Sequence, residues 1–458
     1  MARIALAILI LGCCTCAVWS VNDRLREVFS WKQLDFAFPD QKTRQAAIAS
    51  GEYVQENNLP LGLEVWRDKL FITVPRWKAG VASTLNYVSL GSGSNYNRSP
   101  RLVPYPNYQI NRLPAAGQST TNHLINTYRI SVDTCDRLWM IDMGISNGTK
   151  LGQPQLFIFD LNTDQIVRQF IIAQDLMRVD GNTWFPGLLA DTNSDSCDRA
   201  FAYLPDLGGG LVVYDYQQNT AKRIEHHYFY FDPLATVFHI GGVRVEWPDG
   251  LFGVSMSERH RNGFRTLYFQ AMSSTRMFSV DTSVLQSNTS GRNTFEEYRH
   301  LGHRGSGMQA GPMTSDEASG TVFYALVNQD AVGCWNPKQH DHLSSETSAV
   351  LAQDSETLEF PGDIKVDKDS NLWVLSDRMP RHRFDVNNFD VEDINYRVFR
   401  APVADAIRGT VCESPRTLTR PPPGPNHPSR PRPATTTTTT STSGSAWNTP
   451  SSRAKDFD

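Results

Sequence analysis

The sequence predicts an all-β protein, a six-bladed β-propeller, because one hairpin pattern returns six times along the chain. Four of the copies begin with Gly or Pro, and each copy continues as an apolar strand and a tight polar turn and ends in a second apolar strand. Hairpins of this kind bury a continuous core only by stacking on neighbouring copies. The copies lie at residues 61–76, 128–142, 186–206, 241–255, 311–327 and 362–377.

The spacing of the copies predicts the size of each unit. The centres of the first strands are Val65, Val132, Ala190, Val245, Thr314 and Val366. These centres lie 52 to 69 residues apart, which leaves room for two further strands in each unit. Four-stranded sheets arranged radially form a propeller, and six units correspond to six blades.

The N-terminus has the anatomy of a secretory signal peptide, predicted at residues 1–20. Arg3 precedes an apolar run from Ile4 to Leu11, and small residues follow near Ala17 and Ser20. The run is too short to span a bilayer well, and no later segment is long and apolar enough. We therefore expect a secreted, extracellular protein without a membrane span.

The propeller is expected to occupy residues 25–412 and to close on itself. Leu25–Phe38 precedes the first repeat and reads as a strand. Pairing of this strand with strands from the end of the chain would close the ring, and a closed ring has no exposed sheet edges that invite aggregation.

The cysteines predict two disulfides. Three of the seven cysteines belong to the signal peptide, which leaves Cys135, Cys197, Cys334 and Cys412 with three possible pairings. Cys135 and Cys197 occupy corresponding places in consecutive repeats, so we predict Cys135–Cys197 and, by elimination, Cys334–Cys412. A zinc site is the alternative, but no two of these cysteines have the short spacing of zinc ligands.

The last part of the chain, residues 413–458, is rich in Pro, Thr and Ser and is expected to be disordered. Its composition is typical of an O-glycosylated stalk, which could tether the protein to an extracellular matrix or could be a solvated tail. Sequons at Asn97, Asn147 and Asn288 predict N-glycosylation in surface loops.

The charge balance and the motifs exclude several classes of function. With 44 basic and 48 acidic residues, the chain has no broad electrostatic reason to bind nucleic acid. The nucleophile elbow, the zinc-protease motif, the P-loop and the dinucleotide fingerprint are all missing from the sequence. His340 and His342 flank Asp341 and could ligate a metal, but a solvated loop between blades is the favoured explanation because no third ligand is evident, and we predict neither a metal nor a cofactor.

The repeat register predicts a candidate site at one mouth of the central channel. Residues that begin a first strand lie beside residues that end the second strand. This geometry places Arg129 beside Asp142, Gly187 beside Asp206, and Gly362 with Asp363 beside Asp377, with Phe360 and Met379 as apolar neighbours. Carboxylates and aromatic faces suit a cationic aromatic amine. The alternative is that the aspartates cap turns or pair with local cations such as Arg129 and Arg378.

Several segments resemble the insect yellow / major royal jelly protein family, and its yellow branch in particular. Examples are FSWKQLDFAFP (29–39), LFITVPRWKAGVASTLNYV (70–88), CDRLWMIDMG (135–144), LVNQDAVGCWN (326–336) and LWVLSDRMP (372–380). The resemblance implies a secreted six-bladed propeller with a part in melanin pigmentation and cuticle. Its segment FPGDIKVD (360–367) departs from the family, which usually carries Asn where this chain has Gly362.

The resemblance implies two alternative functions. Salivary relatives bind biogenic amines in the central channel, so one expectation is a protein that binds catecholamine- or indole-derived pigment precursors, with cuticle or extracellular matrix as a further partner. Other members resemble dopachrome-converting enzymes, which are tautomerases. In that case Asp363 or Asp377 would act as the general base and Arg129 or His239 as the electrophilic partner.

Overall fold

The computed structural model describes residues 24–91, 97–115, 117–193, 195–287 and 294–414. It contains six four-stranded antiparallel sheets in a six-bladed β-propeller, as the repeats predict. Innermost strands contact those of the next blade around the ring, including blade 6 with blade 1; between blades 3 and 4 the contact is made by the second strand of blade 3. In blades 1 to 5 the strands run outward from the axis in chain order, whereas the outermost strand of blade 6 comes from the start of the chain.

The strand bounds are as follows, from the axis outward. Blades 1 to 3 comprise Gly62–Trp66, Lys69–Thr73, Leu85–Ser89 and Val103–Pro104; Thr127–Val132, Arg137–Asp142, Gln155–Asp160 and Gln165–Ile171; and Leu189–Asn193, Ser196–Asp206, Gly210–Asp215 and Thr220–Glu225. Blades 4 to 6 comprise Leu251–Met256, Thr266–Ala271, Arg276–Asp281 and Arg299–His303; Met313–Ser315, Val322–Leu326, Ala331–Trp335 and Ser348–Gln353; and Pro361–Val366, Asn371–Ser376, Tyr396–Pro402 and Arg26–Trp31.

Short helices and two ribbons connect the blades. The α-helices are Gln41–Ser50, Tyr108–Asn111, Thr282–Gln286, Met379–Phe384 and Val403–Ala406. The 3₁₀ turns are Gln55–Asn57, Gln174–Leu176, His227–Phe229, Pro233–Ala235, Phe295–Glu297 and Val386–Asn388. The two-stranded ribbons pair Ile145–Ser146 with Thr149–Lys150 and Val237–Ile240 with Val243–Glu246.

The first strand of the chain closes the ring. Arg26–Trp31 pairs antiparallel with Tyr396–Pro402 and forms the outermost strand of blade 6, which otherwise comes from the C-terminal part of the propeller. The strand occupies only the first half of the expected segment Leu25–Phe38. Phe29 and Trp31 are buried in the largest apolar cluster of the protein, and their rings stack at 5.5 Å.

In blades 2, 5 and 6 the second strand is completely buried. Arg137–Asp142, Val322–Leu326 and Asn371–Ser376 are buried at every residue. These strands lie inside their sheet and are covered on both faces by neighbouring blades, so their sequences are apolar runs without alternation. That double burial explains why the repeats are so easily recognised in the sequence.

The predicted register of the fourth repeat is wrong. Val245 was expected at the centre of an innermost strand, but Val243–Glu246 pairs with Val237–Ile240 in a ribbon outside the sheet. The tight turn lies at Gly241 and Gly242, where both residues have a positive φ that glycine adopts without strain. Blade 4 begins only afterwards, at Leu251–Met256.

Both predicted disulfides are confirmed. Cys135–Cys197 links blades 2 and 3 with a Cα–Cα distance of 5.9 Å. Cys334–Cys412 attaches the end of the described chain to blade 5 with a Cα–Cα distance of 6.3 Å. Across the described ranges, no helix is long and apolar enough to cross a membrane.

Part of the sequence predictions falls outside the described residues. This is the case for the signal peptide at residues 1–20, for the sequon at Asn288 and for the tail from residue 415 onward. The other two sequons, at Asn97 and Asn147, are exposed to solvent.

We predict that Phe29→Ala will lower the free energy of unfolding by about 3–5 kcal/mol, because it empties a fully buried position in the strand that closes the ring. Arg26→Ala, on the exposed start of the same strand, should cost less than about 0.5 kcal/mol. Urea denaturation of both variants would measure the difference. Equal midpoints for the two variants would contradict a stabilising contribution from Phe29.

Candidate functional site

The described part of the protein has a large aromatic cavity, of about 840 Å³, at one mouth of the central channel. It lies where the innermost strands begin, so its lining comes from loops that lead into the blades. Pro186 and Pro248 line it directly before blades 3 and 4. Proline is tolerated in such a position because its missing N–H is not needed by the sheet.

One wall of the cavity is a row of three aromatic rings that pack against one another at tilted angles. Tyr128 lies between Trp77, at a centroid distance of 5.7 Å, and Trp184, at 5.4 Å. The indole Nε1 of Trp77 donates a hydrogen bond of 3.1 Å to the Tyr128 hydroxyl, which fixes both rings.

The opposite wall is built from blades 4 and 6. Trp247 contacts Phe360 at 6.1 Å and Phe384 at 5.9 Å between ring centroids. Phe384 belongs to the helix Met379–Phe384, whose first residue also lines the cavity. Phe360 and Met379 therefore lie where the sequence predicted apolar neighbours of a ligand.

Arg129 forms the floor of the cavity. Its Nε and Nη2 donate to the carbonyl oxygen of Gly362, at 3.0 and 2.6 Å, and its Nη1 donates to that of Pro186 at 3.1 Å. The guanidinium also packs on the ring of Phe252 at 4.8 Å. The side chain is almost entirely buried, and its donors are committed to the backbone of neighbouring blades.

Asp363 lies below this floor and outside the cavity lining. One carboxylate oxygen accepts a hydrogen bond of 2.9 Å from the Leu63 amide, and the other accepts one from Ile364. The second oxygen is 3.7 Å from Arg129 Nε. Burial raises the pKa of Asp363.

A second pair of charges lies farther along the axis, towards the opposite mouth. Lys365 Nζ donates a hydrogen bond of 2.8 Å to the Ile130 carbonyl oxygen and is 3.9 Å from Glu64 Oε2. Burial raises the pKa of Glu64 to about 7. Together with Arg129 and Asp363, these residues fill the channel between its two mouths.

The structure does not bring Asp142 and Asp206 into the cavity. Asp142 is fully buried and accepts hydrogen bonds from the amides of Ile125, Asn126 and Gly144, so it caps a turn. Asp206 accepts from the Trp184 amide at 2.9 Å and forms an ion pair of 2.8 Å with Arg223.

His239 also lies outside the cavity lining. It is exposed on the ribbon strand Val237–Ile240, opposite Arg244, and its backbone amide donates to the side chain of Asn328 at 2.8 Å.

The cavity contains a carboxylate that the sequence reasoning missed. Asp249 lies in the loop Trp247–Gly250 that leads into blade 4, and within the described ranges its side chain has neither a hydrogen bond nor an ion pair. Burial raises its pKa to about 6. The sequence does carry a signal for Asp249. If the three similar segments FPGL (185–188), WPDG (247–250) and FPGD (360–363) are aligned on their prolines, Trp247 takes the place of Phe360, and Asp249 is predicted at the same mouth of the channel.

A second missed residue is Arg383. It is exposed at the rim, where its guanidinium carbon lies 4.7 Å above the ring of Trp77. It belongs to a long connection between two strands of blade 6 that has no counterpart in the repeat pattern. Among the residues with described placement, no cluster of three His, Cys, Asp or Glu could hold a metal ion.

Comparison with known proteins identifies the family. Residues 125–412, more than half of the chain, match the family model of the major royal jelly proteins. The chain belongs to this family. Protein yellow of Drosophila erecta is 37% identical over 407 residues, covering 87% of this chain and 72% of the relative. Protein yellow of Drosophila melanogaster is 37% identical over 409 residues, with the same coverage.

These relatives support membership of the yellow branch of the family. Among solved structures, a luciferin-regenerating enzyme aligns with a TM-score of 0.41 and 12% identity, over 78% of this chain and 92% of that one.

Gly362, where the resemblance implies Asn, lies against Asp377 in this yellow-family chain. A Cβ atom at Gly362 would overlap Asp377 Oδ2. Asp377 is fully buried below the cavity, Oδ1 accepts from the Met379 amide at 3.0 Å, and Oδ2 has no partner in the described ranges. Burial raises the pKa of Asp377 well above its ordinary value, which favours the neutral acid.

We predict that Gly362→Asn will lower the free energy of unfolding by about 1–3 kcal/mol, because the new side chain must displace the buried carboxyl of Asp377. In an Asp377→Ala background, the same substitution should cost at least about 1 kcal/mol less. A double-mutant cycle by urea denaturation measures this coupling. Additive costs would show that the two positions do not compete for space.

Proposed function

We propose that this protein is a secreted yellow-family protein of melanin pigmentation and cuticle that binds catecholamine- or indole-derived pigment precursors in its aromatic cavity. The observation that carries the proposal is the carboxylate of Asp249, which has no partner within the described ranges and lies among aromatic walls. Its natural complement is a ligand with an aromatic ring and a positive charge.

The chemistry of the cavity supports such a ligand. Flat faces of Trp77, Trp184 and Trp247 can stack on a catechol or indole ring, and aromatic faces also attract a cation. An ammonium group within hydrogen-bond distance of Asp249 would replace the water lost by both charges. Cavities of this volume are typical of small-molecule sites with a few oriented polar groups.

Secretion is part of the proposal, with the signal peptide at residues 1–20 and the propeller at residues 25–412. Two disulfides support it, because such bonds persist mainly in oxidising compartments. We further propose that the Pro-, Thr- and Ser-rich tail, assigned from the sequence to residues 413–458, attaches the propeller to cuticle or extracellular matrix.

The alternative function is a dopachrome or dopaminechrome tautomerase, and one observation favours it. A general base should have a pKa near the working pH and must reach the proton that it removes. Asp249 meets the first condition, since its pKa is raised to about 6, and it lies in the lining of the cavity in which the substrate would bind. Asp363 and Asp377, the bases expected from the sequence, are buried outside that lining.

We predict that the affinity for dopamine depends on pH through Asp249. Its pKa in the free protein is about 6, so the carboxylate is charged above that pH and neutral below it. Since the ligand ammonium stays charged to about pH 10, the affinity should be constant near pH 7–8. It should fall towards tenfold per pH unit below about pH 6. Calorimetric titration under nitrogen, from pH 5 to 8, measures this profile.

Asp249→Asn should weaken dopamine binding about tenfold or more at pH 7.5 and flatten the profile, because a charged hydrogen bond is lost. Asp180→Asn is the matched control at the rim, where the carboxylate is already paired with Arg178 at 2.8 Å. Binding of wild-type strength by Asp249→Asn would contradict the proposed site.

The tautomerase alternative predicts that purified protein accelerates the loss of dopachrome absorbance, with saturation and relative to heat-denatured protein. Asp249→Asn should then slow the conversion more than tenfold, whereas Asp180→Asn should not. Decay at the spontaneous rate would exclude this substrate while leaving the binding function intact.

A further inference from the structure

The indole rings that line the cavity differ in how many aromatic rings already pack on them. Trp247 contacts three rings, at centroid distances between 5.1 and 6.1 Å, which belong to Phe238, Phe360 and Phe384. Within the described ranges, Trp184 contacts one ring, that of Tyr128, at 5.4 Å. An indole has two faces, and one ring covers at most one of them. At least one face of Trp184 therefore has no aromatic partner among the described residues.

Trp184 is also the open end of the row of rings that begins at Trp77. The Arg383 guanidinium lies over the Trp77 ring at 4.7 Å and closes that end of the row with a cation–π contact. Tyr128, in the middle of the row, is buried. At the other end, Trp184 is half-buried and lines the cavity. A flat ring in the cavity can therefore extend the row at Trp184.

The backbone of Trp184 is held at both its amide and its carbonyl group. The amide donates to Asp206 Oδ1 at 2.9 Å, and the carbonyl oxygen accepts from the Leu207 amide at 3.0 Å. Asp206 is itself buried and forms an ion pair of 2.8 Å with Arg223. A residue that is fixed in this way loses little conformational freedom when a ligand ring stacks on it, and this favours binding.

The volume of the cavity indicates a ligand larger than a single ring. A cavity of about 150 Å³ is enough to hold one benzene ring, whereas this cavity measures about 840 Å³. A single catechol ring would leave most of the aromatic lining in contact with water. A fused two-ring system covers more of the Trp184 face and removes more apolar surface from water.

We propose that Trp184 determines the ring specificity of the site: the ligand stacks on its open face, and fused two-ring systems of the indole type bind more tightly than a single catechol ring. The proposal rests on the proposed function and chooses, within it, indole-derived over catecholamine-derived ligands. It concerns the ring of the ligand and does not require the contact between the ligand ammonium and Asp249.

Three uncharged probes test the proposal: catechol, 6,7-dihydroxytetralin and 2,3-dihydroxynaphthalene. All three carry the same pair of hydroxyl groups; the tetralin adds a saturated ring, and the naphthalene adds a flat one. Their affinities for the full-length protein are measured by calorimetry at pH 7.5 under nitrogen. We expect the naphthalene to bind at least about tenfold more tightly than catechol. It should bind about three- to tenfold more tightly than the tetralin, because stacking adds to burial.

A variant separates stacking from burial. In Trp184→Leu the side chain stays apolar but has no flat face, so the naphthalene and the tetralin should bind with about equal affinity. Phe295→Leu is the control, since it removes an exposed aromatic ring of blade 4 outside the cavity lining; here the ratio should keep its wild-type value. Thermal denaturation verifies that each variant is folded. The probe comparison in the wild-type protein requires no variant and is decisive if Trp184→Leu does not fold.

The outcomes distinguish this proposal from the proposed function. Equal affinities of the wild-type protein for the naphthalene and the tetralin, or a preference that survives in Trp184→Leu, would overturn the role of Trp184. Catechol binding as tight as that of the naphthalene would overturn the choice of a two-ring ligand. Dopamine binding that depends on Asp249 would in either case leave the proposed function standing. Failure of the three probes and of dopamine to bind at millimolar concentration would overturn both.

Discussion

The contact on which the site depends is the commitment of the Arg129 guanidinium to backbone carbonyls. This side chain, from blade 2, reaches the carbonyl of Pro186 before blade 3 and that of Gly362 in blade 6. Buried carbonyls without a partner would each cost about 1–3 kcal/mol. One side chain thus joins blade 2 to blades 3 and 6 and holds the backbone that follows Phe360 in the cavity wall.

Charged side chains that hydrogen-bond within the protein have a structural role, whereas those without such bonds are available to a ligand. Asp142, Asp206 and Arg129 are buried and satisfied by the protein, and their loss would be felt in folding. Asp249 and Arg383 are satisfied by nothing in the described ranges, so their charges are available to a small molecule. Burial alone does not make a residue functional. What distinguishes the structural charges from the available ones is whether their donors and acceptors have hydrogen-bond partners within the protein.

The sequence predicted the blades well because periodicity is a property of many residues at once. Doubly buried second strands, such as Arg137–Asp142, repeat with the same apolar pattern, and one ambiguous turn does not alter the count of six. The same redundancy made the disulfide Cys135–Cys197 predictable from corresponding positions in two repeats. The end of the first strand at Trp31 was less clear, since FSWKQLDFAF alternates beyond it.

The site could be predicted only in part, because it depends on single residues. An aspartate at the end of a strand can cap a turn or bind a ligand, and its neighbours in sequence do not decide between these. The tight turn at Gly241 led to a wrong register for the fourth repeat, so Asp249 was not recognised as a residue that precedes an innermost strand. Arg383 lies in a connection that does not belong to the repeat pattern. Phe360 and Met379 were found because they flank strands whose register was right.

Closure of the ring by the first strand has a consequence for folding during synthesis. The register joins Phe29 to Val398, so the sixth blade cannot be completed until nearly the whole propeller has left the ribosome. At usual elongation rates, the first strand must wait for on the order of tens of seconds with its apolar face uncovered. During that interval the nascent chain depends on chaperones, and a substitution at Phe29 would be felt first as a lower yield.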